Sequence, residues 1–195
     1  KETGQPFDIM PWFAALVYLA YGWRRVDDDG KRFRKVYCKV ARGNAKTANL
    51  VTIGTIGLLF DNAQDPEVYW IATKKEQARI GWDRQREMLK MLVRDYPDLA
   101  PMLNIPSGHT STRISRTDAL SWVSYLGRNS ETEDGMSPYY VLADEVHAWT
   151  NDDMLNVMES GMVKVEDPMT WMITTAGHNP LGPKSQNLSA CKQML

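Results

Sequence analysis

Short apolar runs recur along the chain, and segments of helical length separate them. Residues 68–72 (Val-Tyr-Trp-Ile-Ala) and 139–143 (Tyr-Tyr-Val-Leu-Ala) are apolar at every position, and 36–40 and 171–175 are largely so. A strand alternates its side chains between two faces, so an unbroken apolar run requires cover on both. Between these runs lie helical segments at 47–60, at 75–96, amphipathic and stopped by Pro97, and at 154–161; further strand pieces are expected at Ile114 and 122–126. Strand and helix in alternation predict an α/β chain with a mainly parallel sheet flanked by helices. Such sheets bind ligands beyond the carboxyl ends of their strands. Three chemically suggestive stretches fall there: 41–47, 144–145 and 174–177.

The first of these begins at a strand and ends in a helix. Residues 36–40 run into the polar turn Arg42-Gly43-Asn44-Ala45, and Lys46-Thr47 open an apolar helix. The phosphate-loop pattern is G-x-x-x-x-G-K-[ST]; here Val40 and Ala45 hold its two glycine positions. In a working loop the backbone N–H groups and the helix N-terminus cradle phosphate. Lys46 would reach the β- and γ-phosphates, Thr47 would ligate Mg²⁺, and Arg42 adds a second cation. A left-handed backbone at position 45 would cost about 1–2 kcal/mol with a Cβ present. By itself the stretch reads equally well as an ordinary strand-to-helix turn.

The second stretch ends an apolar strand on Asp144-Glu145. Asp144 can hold Mg²⁺ through water, and Glu145 can orient and deprotonate an attacking water. Alone, an acidic pair that caps the next element is the simpler reading. The third, Thr174-Thr175-Ala176-Gly177, ends a strand on hydroxyls able to sense a γ-phosphate, and a plain turn serves as well in isolation. Their order (phosphate loop, acidic strand end, hydroxyl strand end) is that of a RecA-like P-loop ATPase core.

Several linked stretches in this order resemble the N-terminal ATPase region of the large terminase subunit, the DNA-packaging motor of tailed bacteriophages. PFDIMPWFAALVYLAYGW is similar to the family's adenine-side segment, and DGKRFRKVYCKVARGNAKT to its phosphate loop with an Arg-Gly-Asn turn before the lysine. VYWIATKKEQARIGWDRQREML resembles the second strand and its helix, DGMSPYYVLADEVHAW the acidic motif, and ITTAGHNP the coupling motif. The resemblance covers about residues 6–180. It implies ATP and Mg²⁺ as ligands, with Arg42, Gly43, Asn44, Ala45, Lys46 and Thr47 on the phosphates. Asp144 and Thr47 would serve the metal, Glu145 would activate water, and Thr174 and Thr175 would couple hydrolysis to movement. Phe13 stands where many relatives carry an adenine-reading glutamine, so Trp12 and Phe13 would contact the base or simply pack in the core. Motor rings often take an arginine from a neighbouring subunit; Arg128 is the candidate, with Arg113 and Arg116 as rivals and a surface arginine without a role as the plainer alternative. The partners implied are double-stranded DNA, a portal protein, the small terminase subunit and further copies in a ring, within the host-cell cytoplasm.

The rest of the sequence sets bounds. The 195 residues suffice for one domain, and 43% hydrophobic with 24% charged residues is ordinary for a soluble globular protein. A net charge of −1 leaves nucleic-acid contact to local basic patches such as Lys31, Arg32, Arg34 and Lys35, read here as a solvated strand edge. Asp27-Asp28-Asp29-Gly30 reads as a hairpin tip rather than a metal site. Cys38 and Cys191 lie too far apart for a disulfide framework or a zinc signature, and His109, His147 and His178 lack metal-ligand spacing. A reducing cytosol fits this usage. No apolar run reaches about 18 residues, and no signal-peptide core opens the chain. The expectation is a single ATPase domain over 1–195, cut from a longer protein and without the family's nuclease region. Two other readings compete: a DExH helicase-like ATPase, which Asp144-Glu145-Val146-His147 fits, and a non-catalytic α/β binding module whose phosphate loop has decayed.

Overall fold

The computed structural model describes residues 9–61, 63–108, 111–127 and 135–175, and the chain divides into two compact units, Lys1–Arg34 and Lys35–Leu195. In the first, Pro11–Gly22 forms α1, with Pro11 in its first turn where a missing N–H costs nothing. The aspartate run forms a hairpin tip. Arg24 and Lys31 make an antiparallel bridge across it, and Asp28 takes Nε and Nη2 of Arg25 at 2.8 and 2.6 Å and the Gly30 N–H at 3.0 Å. The Arg25 guanidinium holds the Asp28 carboxyl down at about 2. One expectation is corrected here: Arg32, Arg34 and Lys35 are exposed, but Lys31 is buried. Neighbours on an extended backbone point opposite ways, so the bridge turns Lys31 inward as it turns Arg32 out.

The second unit contains β1 (Lys35–Lys39), α2 (Lys46–Leu59), β2 (Glu67–Ala72), α3 (Lys75–Asp95), β3 (Leu103–Asn104), β4 (Arg113–Arg116), β5 (Trp122–Gly127), β6 (Pro138–Ala143), α4 (Asp153–Gly161) and β7 (Met169–Thr174). They build one sheet of order β1-β7-β6-β2-β5-β4-β3. The first five strands in that order run parallel, and β4 and β3 extend the sheet antiparallel. The expected mixed α/β fold is therefore present, with the antiparallel edge as an addition. Leu103–Asn104 is too short to carry a periodic signal, and only Ile114 marks β4 in the sequence.

Burial on both faces explains the unbroken apolar runs. Tyr69, Ile71, Val141, Ala143 and Met172 pack on one face with Met154, Leu155 and Met158 of α4. On the other, the Trp70 indole N–H donates to Gln85 Oε1 of α3 at 2.6 Å. The Trp82 indole N–H donates to the Val123 carbonyl at 3.2 Å. Buried indoles need such acceptors. Burial also pushes the Cys38 thiol of β1 up to about 11, so it stays protonated and acts as a small core residue.

Two backbone features fix the helices. A Cβ on Gly81 would lie 2.2 Å from the Trp70 ring, so α3 crosses β2 only because that position has no side chain. Ala45, which precedes α2, has φ 47° and ψ 32°, the left-handed conformation that the loop pattern meets with glycine. We expect Gly81→Ala to lower stability by about 2 kcal/mol, because overpacking costs more than the helix propensity that alanine adds; urea denaturation midpoints check this. Ala45→Gly should raise stability by about 0.5–1 kcal/mol, the left-handed strain relieved less the added freedom of the unfolded chain, read as a higher thermal midpoint.

Candidate active site

The sheet order decides which strand ends meet. β7 lies between β1 and β6, pairing Lys39 with Thr174 on one side and Met172 with Ala143 on the other. β1, β7 and β6 are parallel, so the loop after β1, the hydroxyls at the end of β7 and the acids after β6 emerge at one edge. The Val40 N–H donates to the Thr174 carbonyl at 3.1 Å and carries the β1–β7 pairing to the loop itself.

The loop turns on Gly43 (φ 85°) and Ala45 (φ 47°). Its Ala41 carbonyl lies 3.1 Å from Asn44 Nδ2 and 3.5 Å from Lys46 Nζ. Lys46 is buried at the start of α2, and Arg42 is exposed. One residue on, the Thr47 hydroxyl donates to Asp144 Oδ2 at 2.8 Å, joining residues 97 apart in sequence. Asp144 Oδ1 accepts the Glu145 N–H at 2.8 Å. Burial raises the Asp144 carboxyl pKa, the Glu145 charge adds to the rise, and the Thr47 hydrogen bond and Lys46 oppose it. Asp144 and Thr47 thus present a half-buried carboxylate and a hydroxyl oxygen in contact, the hard oxygen donors that a divalent cation takes.

Glu145 has φ 50° and ψ 43°. Among the described residues, the non-glycine positions at positive φ are Asp29, Asp65 and Asp167, together with Ala45 and Glu145. Aspartate visits this region readily; alanine and glutamate do not, and both stand at the site. Backbone strain of this kind concentrates where geometry is over-determined. Beyond Glu145 the chain makes a single 3₁₀ turn, Val146–Ala148, which brings His147 back to β7. The His147 N–H donates to Thr174 Oγ1 at 2.9 Å. Its ring Nδ1 lies 3.1 Å from Thr174 Oγ1, 3.3 Å from Thr175 Oγ1 and 2.9 Å from Glu145 Oε2. The Trp149 indole N–H donates to the Asp144 carbonyl at 3.3 Å and closes the turn.

The structure thus brings together Arg42, Gly43, Asn44, Ala45, Lys46, Thr47, Asp144, Glu145, Thr174 and Thr175. Trp12 and Phe13 sit on α1 in the N-terminal unit, their rings edge-to-face at 5.6 Å, with Phe13 buried. Arg128, Ala176 and Gly177 lie outside the described residues, as do His109, His178 and Cys191. Of the rival arginines, Arg113 stacks over Trp122 at 4.3 Å. Arg116 pairs with Asp118 at 2.6 Å and donates to the Leu58 carbonyl near the far end of α2, so it lies toward the opposite edge of the sheet. His147 is the contact that sequence reasoning missed. Its spacing from Asp144 was legible as a helicase-like pattern, but its reach to β7 depends on the turn at Glu145.

Comparison with known proteins agrees with the fold. The family described as the terminase large subunit, ATPase domain, matches residues 11–193. A curated relative, Protein YmfN of Escherichia coli (strain K12), is 38% identical over 72 residues, which are 37% of this chain and 15% of YmfN. The large terminase of bacteriophage HK97 superposes with a TM-score of 0.81 at 20% identity, over 98% of this chain and 38% of that one. The large terminase ATPase domain of Thermus phage P74-26 gives 0.55 at 17% identity, over 83% and 69%. The chain therefore spans well under half the length of YmfN and of the HK97 terminase. With the family match extending over nearly its whole length, the chain belongs to the ATPase domain family of the terminase large subunit.

Proposed function

We propose that this domain binds Mg-ATP at the carboxyl edge of β1, β7 and β6 and hydrolyses it to drive double-stranded DNA into a procapsid. The observation that carries this is the 2.8 Å hydrogen bond between Thr47 and Asp144. It sets the hydroxyl that follows the loop lysine against a half-buried carboxylate at the end of β6. Hard oxygens so paired suit Mg²⁺, which takes few protein ligands and completes its shell with phosphate and water.

In this reading the loop N–H groups of Gly43 to Lys46 and the N-terminus of α2 face the phosphates, and Lys46 neutralises their charge. Thr47 and Asp144 hold the metal, which when bound offsets charge on the phosphate oxygens. Glu145, displaced from the strand axis by its left-handed backbone, orients water and accepts its proton. Thr174 and Thr175 stand between loop and acid and would pass the loss of the γ-phosphate to β7. Trp12 and Phe13 are proposed at the adenine, and Arg128 as the arginine supplied to a neighbour in a ring. A portal, the small terminase subunit and the host-cell cytoplasm complete the proposed setting.

Calorimetry with Mg-ATP tests the site. The wild-type chain should bind, and Lys46→Ala should lose at least about tenfold in affinity, roughly one charged hydrogen bond. Binding unchanged in Lys46→Ala would remove the phosphate-loop reading. Glu145→Gln should retain binding while kcat falls by about 100-fold or more, the contribution of a general base.

A further inference from the structure

His147 has no role in the nucleotide chemistry proposed above, yet its ring joins two of the three strand ends. Nδ1 lies 2.9 Å from Glu145 Oε2, 3.1 Å from Thr174 Oγ1 and 3.3 Å from Thr175 Oγ1. The backbone N–H of the same residue is bonded to Thr174 Oγ1, which anchors the ring beside β7. The Thr174 hydroxyl also reaches the Thr175 carbonyl at 3.2 Å. Neutral imidazole carries one N–H and one lone pair. A lone pair on Nδ1 would lie 2.9 Å from a carboxylate oxygen and be repelled, so we assign the proton to Nδ1. One donor then stands before three acceptors.

The competition is close. Among the described residues, Glu145 Oε2 is buried and has no hydrogen-bond partner, although Nδ1 is near; the approach is off the line that a hydrogen bond needs. A buried carboxylate oxygen without a donor is unfavourable, and a small rotation of ring or carboxylate would supply one. The same rotation takes the donor from the β7 hydroxyls.

We propose that His147 is a positioning residue whose single Nδ1–H is shared between Glu145 and the hydroxyls of Thr174 and Thr175. While Glu145 holds that proton donor, its carboxylate is turned toward the ring and not toward the attacking water. When Glu145 swings to the nucleophile, the donor passes to Thr174 or Thr175, so the state of the acid and the state of the β7 end are linked through one N–H. Linkage of this kind works in both directions: whatever draws the β7 hydroxyls onto Nδ1 frees Glu145. The inference rests on the reading of Glu145 as general base.

The test is steady-state Mg-ATP hydrolysis by the complete protein, with ATP binding measured in parallel, for wild type, Glu145→Gln, His147→Asn and His147→Gln. Asparagine carries an N–H donor close to the place of Nδ1. Glutamine is polar and of similar bulk, but its amide lies farther out, near the place of Nε2. We expect His147→Gln to lower kcat by about 10- to 100-fold, the scale of a misplaced catalytic group, with KM changed by less than about threefold. His147→Asn should recover kcat to within about fivefold of wild type. Wild-type kcat in His147→Gln, equal losses in both variants, or a loss of ATP binding in step with kcat overturns the proposal. Glu145→Gln separates the fate of the base from that of the histidine. If it abolishes turnover and keeps binding, the base reading stands and a negative His147 result counts against His147 alone. If it turns over as wild type does, the base reading fails and the His147 link fails with it.

Discussion

The hydrogen bond from Thr47 to Asp144 is the contact on which the rest of the site depends. It crosses from the first turn of α2 to the end of β6, although β1 and β6 are not neighbours in the sheet. The intervening β7 sets the distance between them and fills the gap with hydroxyls. Were β1 paired directly with β6, the loop and the acids would still share an edge, but no third strand would end between them. The insertion of β7 therefore adds hydroxyls to a site that would otherwise hold only loop and acids.

Burial and strain both concentrate at that edge. Asp144 is withdrawn from water, which raises its carboxyl pKa against the opposing help of Thr47 and Lys46. Ala45 and Glu145 hold left-handed conformations that their side chains disfavour. Such costs persist where surrounding structure determines the backbone, and here the surroundings are closely packed. The Trp70 ring fits against Gly81 of α3, and Tyr140 of β6 packs where Gly57 of α2 has no side chain. The sheet and its two helices are locked together at one face while α4 covers the other.

Much of this was legible beforehand because its signals are local. An apolar run buried on both faces can be recognised without knowing its neighbours, and α2, α3, α4, β2, β6 and β7 begin and end within a few residues of expectation. The loop, the acids and the hydroxyls were legible as residue types at strand ends. The antiparallel strands β3 and β4 were hard to see because short edge strands carry little pattern. Lys31 was misjudged because composition suggests a lysine is solvated, and only the bridge to Arg24 turns it inward. The reach of His147 to β7 could not be read at all, because it follows from a backbone angle at Glu145 and from strand order.

The sequence by itself determined the class of the fold, the identity of the residues at the carboxyl edge and membership of the terminase ATPase family. These follow from periodicity, from side-chain chemistry and from the order of short motifs, all properties of the linear chain. Tertiary structure alone decided that Thr47 meets Asp144, that β7 separates loop from acid, and that one histidine nitrogen faces three oxygens. Those are contacts between residues far apart in sequence, and they exist only once hydrogen bonding between strands has set the order and register of the sheet.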